Sequence, residues 1–278
     1  MKKKEKETPQ EEGIKAKKSL GQNFLNSDGA LDAIIKAGRV TKGDKVLEIG
    51  PGKGALTKRL LETGANVVAV EKDDRLIPIL EDLFAKEINT KKLTLIHGDV
   101  LKFDPSLYGL KAKEYKLIAN IPYYITGEIT RKFLSGNFQP SLIVVLVQKE
   151  VAERITTSTQ GSVKIKEGKE SILSISVKAY GQPKYIQTVK AGSFFPPPKV
   201  DSAILLIDNI SKKNFENIFQ EQKFFDVVKT GFAHKRKTLS SNLKRFTTKE
   251  KLSEFGINQK ERAENITLEQ WLEIARNT

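Results

Sequence analysis

The chain has 278 residues, with 48 Lys and Arg against 34 Asp and Glu, two histidines and no cysteine. That length suits one large α/β domain with a smaller appendage; the lack of cysteine excludes disulfides, thiolate metal sites and a thiol nucleophile, and His97 and His234 leave little scope for imidazole chemistry. A formal charge of +14 raises encounter rates with polyanions, which puts nucleic acid first among partners, ahead of a membrane surface or an acidic protein.

Residues 1–13 (MKKKEKETPQEEG) carry no strongly apolar residue after the first Met, so they cannot offset the entropy of ordering, and a disordered basic tail is expected there. The Lys-rich start runs into polar residues rather than a signal-peptide core, and no apolar run approaches the roughly 18 residues of a membrane span. A cytoplasmic protein without a metal site is expected. Beyond the tail, GQNFLN reads as a loop, and Ser27 or Asp28 can cap a helix that sets Leu31, Ile34 and Ile35 on one face.

From Lys45 the pattern alternates: strand KVLEIG, helix ALTKRLLETG, strand NVVAVE, helix DDRLIPILEDLFAKEI, then strands LTLIHGD, KLIAN and LIVVLV. Short Val/Ile/Leu-rich strands separated by amphipathic helices describe a parallel sheet covered on both faces, a doubly wound α/β fold. SVKIKEGKE reads as a polar loop and SILSISVKAYG as a helix. PKYIQTVKAGSFFPPPKVDSAILLID reads as two strands joined through a proline-stiffened turn, closing the sheet antiparallel. The large domain is therefore expected to span 14–208. Residues 209–278 lose strand character and show helical periodicity in FENIFQ, FFDVVKTGFAHKRK and LEQWLEIAR, which predicts a small all-helical domain.

Three motifs carry the chemistry. In VLEIGPGKGAL a strand runs into Gly50, Gly52 and Gly54 ahead of a helix, so the backbone can turn tightly and approach a ligand. Glu71 ends the next strand, 21 residues after Gly50, where an acidic side chain accepts hydrogen bonds from ribose hydroxyls. That geometry serves any adenosine-bearing cofactor, a dinucleotide included. Asp99, in HGDV, can accept a bond from an adenine amine or cap a helix.

The decisive motif is LIANIPYYIT, residues 117–126. An adenine amine is a poor nucleophile until acceptors hold its hydrogens, because its lone pair is delocalised into the ring. Asn120 and the backbone carbonyl of Ile121 or Pro122 can supply two acceptors, Pro122 stiffens the turn, and Tyr123 can stack on the base. Against a sulfonium methyl, alignment does most of the work and no strong base is needed. Such chemistry suits a chain without cysteine.

GQNFLN, EIGPGKGALT, GDV, NIPYYIT, QKEVAERI, FFPPPKVDSAIL and FAHKRKTLSSNL occur in this order between Ser19 and about Phe246, and through them the chain resembles the ribosomal RNA adenine dimethyltransferase family. The resemblance implies a Rossmann-like class I methyltransferase sheet with a helical C-terminal domain. It also implies use of S-adenosyl-L-methionine to dimethylate the exocyclic amine of two adjacent adenosines in small-subunit (16S-type) ribosomal RNA, free or in a pre-small-subunit particle. Carried over by position, Asn23 and Leu25 line the cofactor site, Gly50 approaches the methionine part, Glu71 holds the ribose, and Asp99 with Val100 contacts adenine. Asn120 touches cofactor and substrate, and Phe194 faces Tyr123 across a flipped base.

The stretch from Lys229 to Arg245, which includes GFAHKRKTLSSNLKR, holds six Lys or Arg and no acid. It reads as a continuous basic helix face tracking phosphates, with Lys235, Arg236 and Lys237 as the RNA contacts. Two departures from the family stand out: Tyr124 where members often have Asn, and KEGKESILSIS in place of a link containing Tyr-Gly. A large-subunit methyltransferase of the resistance type, or a non-catalytic RNA-binding assembly factor on the same fold, are the alternatives. A monomer is expected.

Overall fold

The computed structural model describes residues 15–157 and 169–278. The expected tail at 1–13 lies outside them, as does most of the polar stretch SVKIKEGKE. The first elements are β1 (Phe24–Leu25) and α1 (Asp28–Gly38). Ser27 is the N-cap of α1, but its side chain makes no capping bond. The wound part follows as β2 (Lys45–Ile49), α2 (Ala55–Glu62), β3 (Asn66–Glu71), α3 (Ile77–Leu83), α4 (Ala85–Asn89), β4 (Leu93–His97) and β5 (Tyr115–Ala119). Next come α5 (Thr126–Ser135), β6 (Leu142–Gln148), α6 (Lys149–Thr156), α7 (Ile172–Tyr180), β7 (Gln182–Val189), β8 (Phe194–Phe195) and β9 (Ser202–Asp208).

The large sheet has the order β4-β3-β2-β5-β6-β9-β7. Neighbours from β4 to β6 pair in parallel, while β9 runs antiparallel between β6 and β7. This is the mostly parallel, Rossmann-like sheet that the alternating pattern predicts. Strands covered on both faces must be apolar throughout, and Val144, Leu146 and Val147 on β6 are fully buried. The strand order reverses between β2 and β5, so the chain leaves two adjacent strands in opposite directions and opens a crevice at their carboxyl ends. Ile49 pairs with Ala119, which sets the turns after them side by side.

Three expectations are corrected. GQNFLN is not wholly loop: Phe24 and Leu25 pair antiparallel with Phe195 and Phe194, a contact between segments too distant in sequence for local pattern to reveal. DDRLIPILEDLFAKEI is two short helices, because Phe84 leaves helical geometry at φ −114° with its ring lodged where a side chain at Gly54 would stand. The basic segment is no continuous helix face.

After β9 come α8 (Ile218–Gly231), α9 (Leu239–Asn242), α10 (Lys249–Glu254) and α11 (Leu268–Arg276). The Asn217 side chain caps α8 by accepting the Gln220 N–H. α8 stops at Gly231, whose missing side chain admits the Trp271 ring, and Asn242 Nδ2 donates to the Gly231 and His234 carbonyls at 2.6 and 3.2 Å. Residues 232–238 therefore form a turn, with Lys235, Arg236 and Lys237 exposed on it. Across the joint to the sheet, the Tyr180 ring lies 5.6 Å from Phe215 and 5.8 Å from Phe225, and its hydroxyl donates to Glu221. One face of the sheet and the terminal helices share a single apolar interior running from Leu47 to Trp271. The opposite face packs on α1 and α2.

Candidate active site

The crevice begins at the glycine turn. Gly50 follows β2 with φ +66°, a left-handed conformation that favours glycine, and a Cβ there would meet no atom within 4 Å. The space above Gly50 is open for a ligand to approach the main chain. Gly52, at φ +61°, carries the Phe24 ring against it and donates its N–H to Glu71 Oε2 at 3.0 Å.

Glu71 is buried, and its Oε1 also accepts the N–H groups of Lys72 and Asp73, each at 2.8 Å. Burial pushes its carboxyl above the usual carboxylate range, with the backbone bonds opposing. Three donors thus hold one carboxylate in a fixed orientation at the edge of the cleft that it lines, with acceptor capacity left on Oε2. Asp73 below it is held well under the usual range by the Arg75 guanidinium at 2.6 Å. It also accepts from Gln22 Nε2 at 2.7 Å, which ties the loop before β1 to the end of β3.

On the next strand end, Asp99 accepts the Leu101 N–H at 2.9 Å and the Lys72 ammonium at 2.8 Å. The lysine holds its carboxyl below the usual range. Beside it Val100 is buried.

The second wall is the turn after β5. Asn120 donates from Nδ2 to the Asn23 carbonyl at 3.0 Å. That bond fixes the amide, so Oδ1 remains as its acceptor. Pro122, at φ −58°, leads into a 3-10 turn in which the half-buried Tyr123 shares a hydrogen bond of 2.6 Å with Ser202 Oγ. Burial raises the Tyr123 phenol above its ordinary value, so it stays neutral.

The cleft brings together Gly50, Glu71, Asp99 and Val100 from the ends of β2, β3 and β4, and Asn120, Pro122 and Tyr123 from the end of β5. Asn23 and Leu25 cover it. Phe194 is not among its lining residues: it is 3% exposed, in register with Leu25 in the core. Strand alternation is the reason, since Phe195, 67% exposed, takes the outward face shared with Phe24. The expected arrangement of Phe194 opposite Tyr123 is not found. Lys235, Arg236 and Lys237 also lie outside the cleft.

Sequence reasoning passed over Glu48. It stands in the middle of β2, 1% exposed, and lines the cleft. Among the described residues neither carboxyl oxygen has a partner at hydrogen-bond geometry; the buried Thr57 hydroxyl nearby pulls its pKa down, but burial outweighs it and raises the value to about 8. The available signal was a lone acid inside the apolar run KVLEI, because a buried carboxyl without a partner is costly. An orphaned acid of this kind suits a ligand that brings a cation. Together with the open space over Gly50 and the fixed Glu71, it makes the cleft fit for an adenosine-bearing cofactor with a positively charged end.

A family model described as ribosomal RNA adenine dimethylase matches residues 13–278. The ribosomal RNA small subunit methyltransferase A of Dehalococcoides mccartyi strain CBDB1 is 40% identical over 267 residues, covering 94% of this chain and 88% of that protein. The protein of the same name from Clostridium botulinum strain Langeland is 37% identical over 263 residues, covering 93% and 92%. Among solved structures, a dimethyladenosine transferase from Plasmodium falciparum superposes with TM-score 0.70 at 27% identity, covering 90% of this chain and 95% of that one. The 23S rRNA methyltransferase ErmE gives TM-score 0.72 at 22% identity, covering 92% and 99%, and shows the fold alone.

Proposed function

The chain belongs to the ribosomal RNA adenine dimethylase family, and from this we infer that it dimethylates the exocyclic amine of two adjacent adenosines in small-subunit ribosomal RNA. The observation that carries the reading is the placement of Asn120 beside the Gly50 turn, where the strand order reverses, with its amide fixed and its oxygen left to accept. When bound, S-adenosyl-L-methionine supplies a methyl group already activated on a sulfonium. Glu71 would hold its ribose, Asp99 and Val100 its adenine, and Gly50, Asn23 and Leu25 its methionine end.

Asn120 Oδ1 and the carbonyl of Ile121 or Pro122 accept the two amine hydrogens of the target base, which raises the nitrogen lone pair out of conjugation. Pro122 keeps these acceptors rigid and Tyr123 stacks on the ring. Phe194, in register with Leu25 in the core, would support the cofactor side of the cleft from behind and not touch the base. Alignment replaces acid–base help, which accords with a cleft lined by no histidine.

Residues 14–208 would carry cofactor and catalysis, and 209–278 the RNA contacts. Lys235, Arg236 and Lys237 would meet phosphates from a turn rather than along a helix face, contributing affinity more than sequence information. We read the protein as a cytoplasmic monomer acting on the small subunit or its precursor. Incubation of purified small and large subunits with methyl-labelled cofactor tests the substrate: label enters the small-subunit RNA, and label confined to the large subunit would overturn the assignment.

Glu48 gives a second check. Its carboxyl, raised to about 8, is neutral at pH 7, and a cation arriving beside it favours ionisation. Binding of S-adenosyl-L-methionine at pH 7 is therefore expected to release protons, read by calorimetry as an enthalpy that varies with the ionisation heat of the buffer. Glu48→Gln removes that dependence. The sign also fixes a stability trend: a raised folded pKa means that the contribution of Glu48 to stability is lost as pH rises from the ordinary carboxylate value through about 8.

A further inference from the structure

Tyr123 and Tyr124 are consecutive in the turn that carries the proposed acceptors, yet they go opposite ways. Tyr123 turns inward to Ser202. Tyr124 is 61% exposed at the mouth of the same cleft, and among the described residues its ring has no aromatic partner and its hydroxyl no hydrogen bond. The ring has a backing: a Cβ at Gly21 would lie 3.2 Å from Cε1 and 3.3 Å from Cδ1, so glycine at φ +62° leaves the space the ring occupies. One side of Tyr124 thus rests on main chain while the rest faces outward. A lone exposed aromatic needs no explanation by itself; one held in place two residues after Pro122, in a chain of charge +14, does.

We propose that Tyr124 is a stacking platform for the nucleobase next to the one in the cleft, and so a positioning residue for RNA. The proposal rests on the substrate reading above. Drawing one base out of an RNA strand strips its neighbour of a stacking partner, a cost of base extrusion in general. An aromatic ring at the mouth replaces the lost face. A purine neighbour offers the larger surface, so the same ring favours a target with two adenosines in succession, and it keeps the strand engaged while the second takes the place of the first.

The test compares Tyr124→Leu, which keeps apolar contact with Gly21 but has no ring, with Tyr124→Phe, which keeps the ring. Tyr124→Leu is expected to raise KM for the small subunit about tenfold, in line with the loss of one base–aromatic stack. S-adenosylhomocysteine affinity, measured by calorimetry, should stay within about twofold of wild type, and RNA modified at only one of the two adenosines should accumulate; Tyr124→Phe restores all of these. A wild-type KM in Tyr124→Leu overturns the proposal. So does a parallel loss of S-adenosylhomocysteine affinity, which would make Tyr124 a prop for the loop at 21–25. A binding-only readout separates this from the substrate reading: with 2-aminopurine beside an adenosine in a short RNA, wild type and Tyr124→Phe quench its fluorescence and Tyr124→Leu does not. Absence of methyl transfer by wild type would sink the substrate reading, whereas equal quenching by wild type and Tyr124→Leu would sink the stacking role.

Discussion

Asn120→Ala is expected to lower kcat for methylation of the small subunit by about a thousandfold or more, the upper range for loss of one aligned polar group in a dry site. In the proposed role the side chain has two jobs, one for each polar atom. Nδ2 is committed to the Asn23 carbonyl at 3.0 Å, so Oδ1 is the atom free to hold an amine hydrogen, and alanine removes both. Losing the tether alone costs about 1 kcal/mol, the net worth of one hydrogen bond, or about fivefold in S-adenosylhomocysteine affinity. A collapse in kcat with only that modest change in affinity therefore reports the acceptor. Asn120→Asp sharpens the comparison: it keeps an acceptor oxygen but sets a carboxylate against the Asn23 carbonyl, and it should be as inactive as alanine. Turnover near the wild-type rate in Asn120→Ala would refute the assignment.

Glu71→Gln carries the second large effect, on the cofactor side. The carboxylate accepts three main-chain N–H groups, from Gly52, Lys72 and Asp73, and a glutamine must turn its amide N–H₂ toward at least one of them. An opposed donor in a buried site costs about 1–3 kcal/mol, so thermal stability falls. The proposed ribose partner is also lost, and S-adenosylhomocysteine affinity should drop about a hundredfold, equivalent to about 2.7 kcal/mol. Because burial raises the Glu71 carboxyl above the ordinary range, wild-type affinity should decline as pH falls through that raised value, at a higher pH than for an exposed carboxylate. Calorimetric titration across pH checks both. Unchanged affinity in Glu71→Gln would move the ribose elsewhere.

The wound sheet was legible because strands buried on both faces leave unbroken Val/Ile/Leu runs, and the glycine turn because few residues tolerate its dihedrals. Asn120, Glu71 and Asp99 were found through their position at strand ends, a property of local pattern. Long-range pairing was not legible. Nothing in GQNFLN announces that Phe24 meets Phe195, and with two phenylalanines in a row only that register decides which one faces inward. FAHKRK has helical periodicity, but the helix ends where the Trp271 ring occupies the place of a side chain at Gly231, a constraint set 40 residues away in sequence. Glu48 escaped notice because, although a lone acid stands out in KVLEI, its burial in the cleft is a tertiary fact.

The interior common to the sheet and the terminal helices bears on how this protein can be cut or regrafted. Proteolysis after β9 would bare the apolar sides of α8 and α11 on one fragment and the face of α7 around Tyr180, on which they pack, on the other, leaving two sticky halves instead of a working enzyme and a portable RNA module. Heating should melt the molecule in one step, and a chimera that exchanges the last helices must carry their packing partners with them.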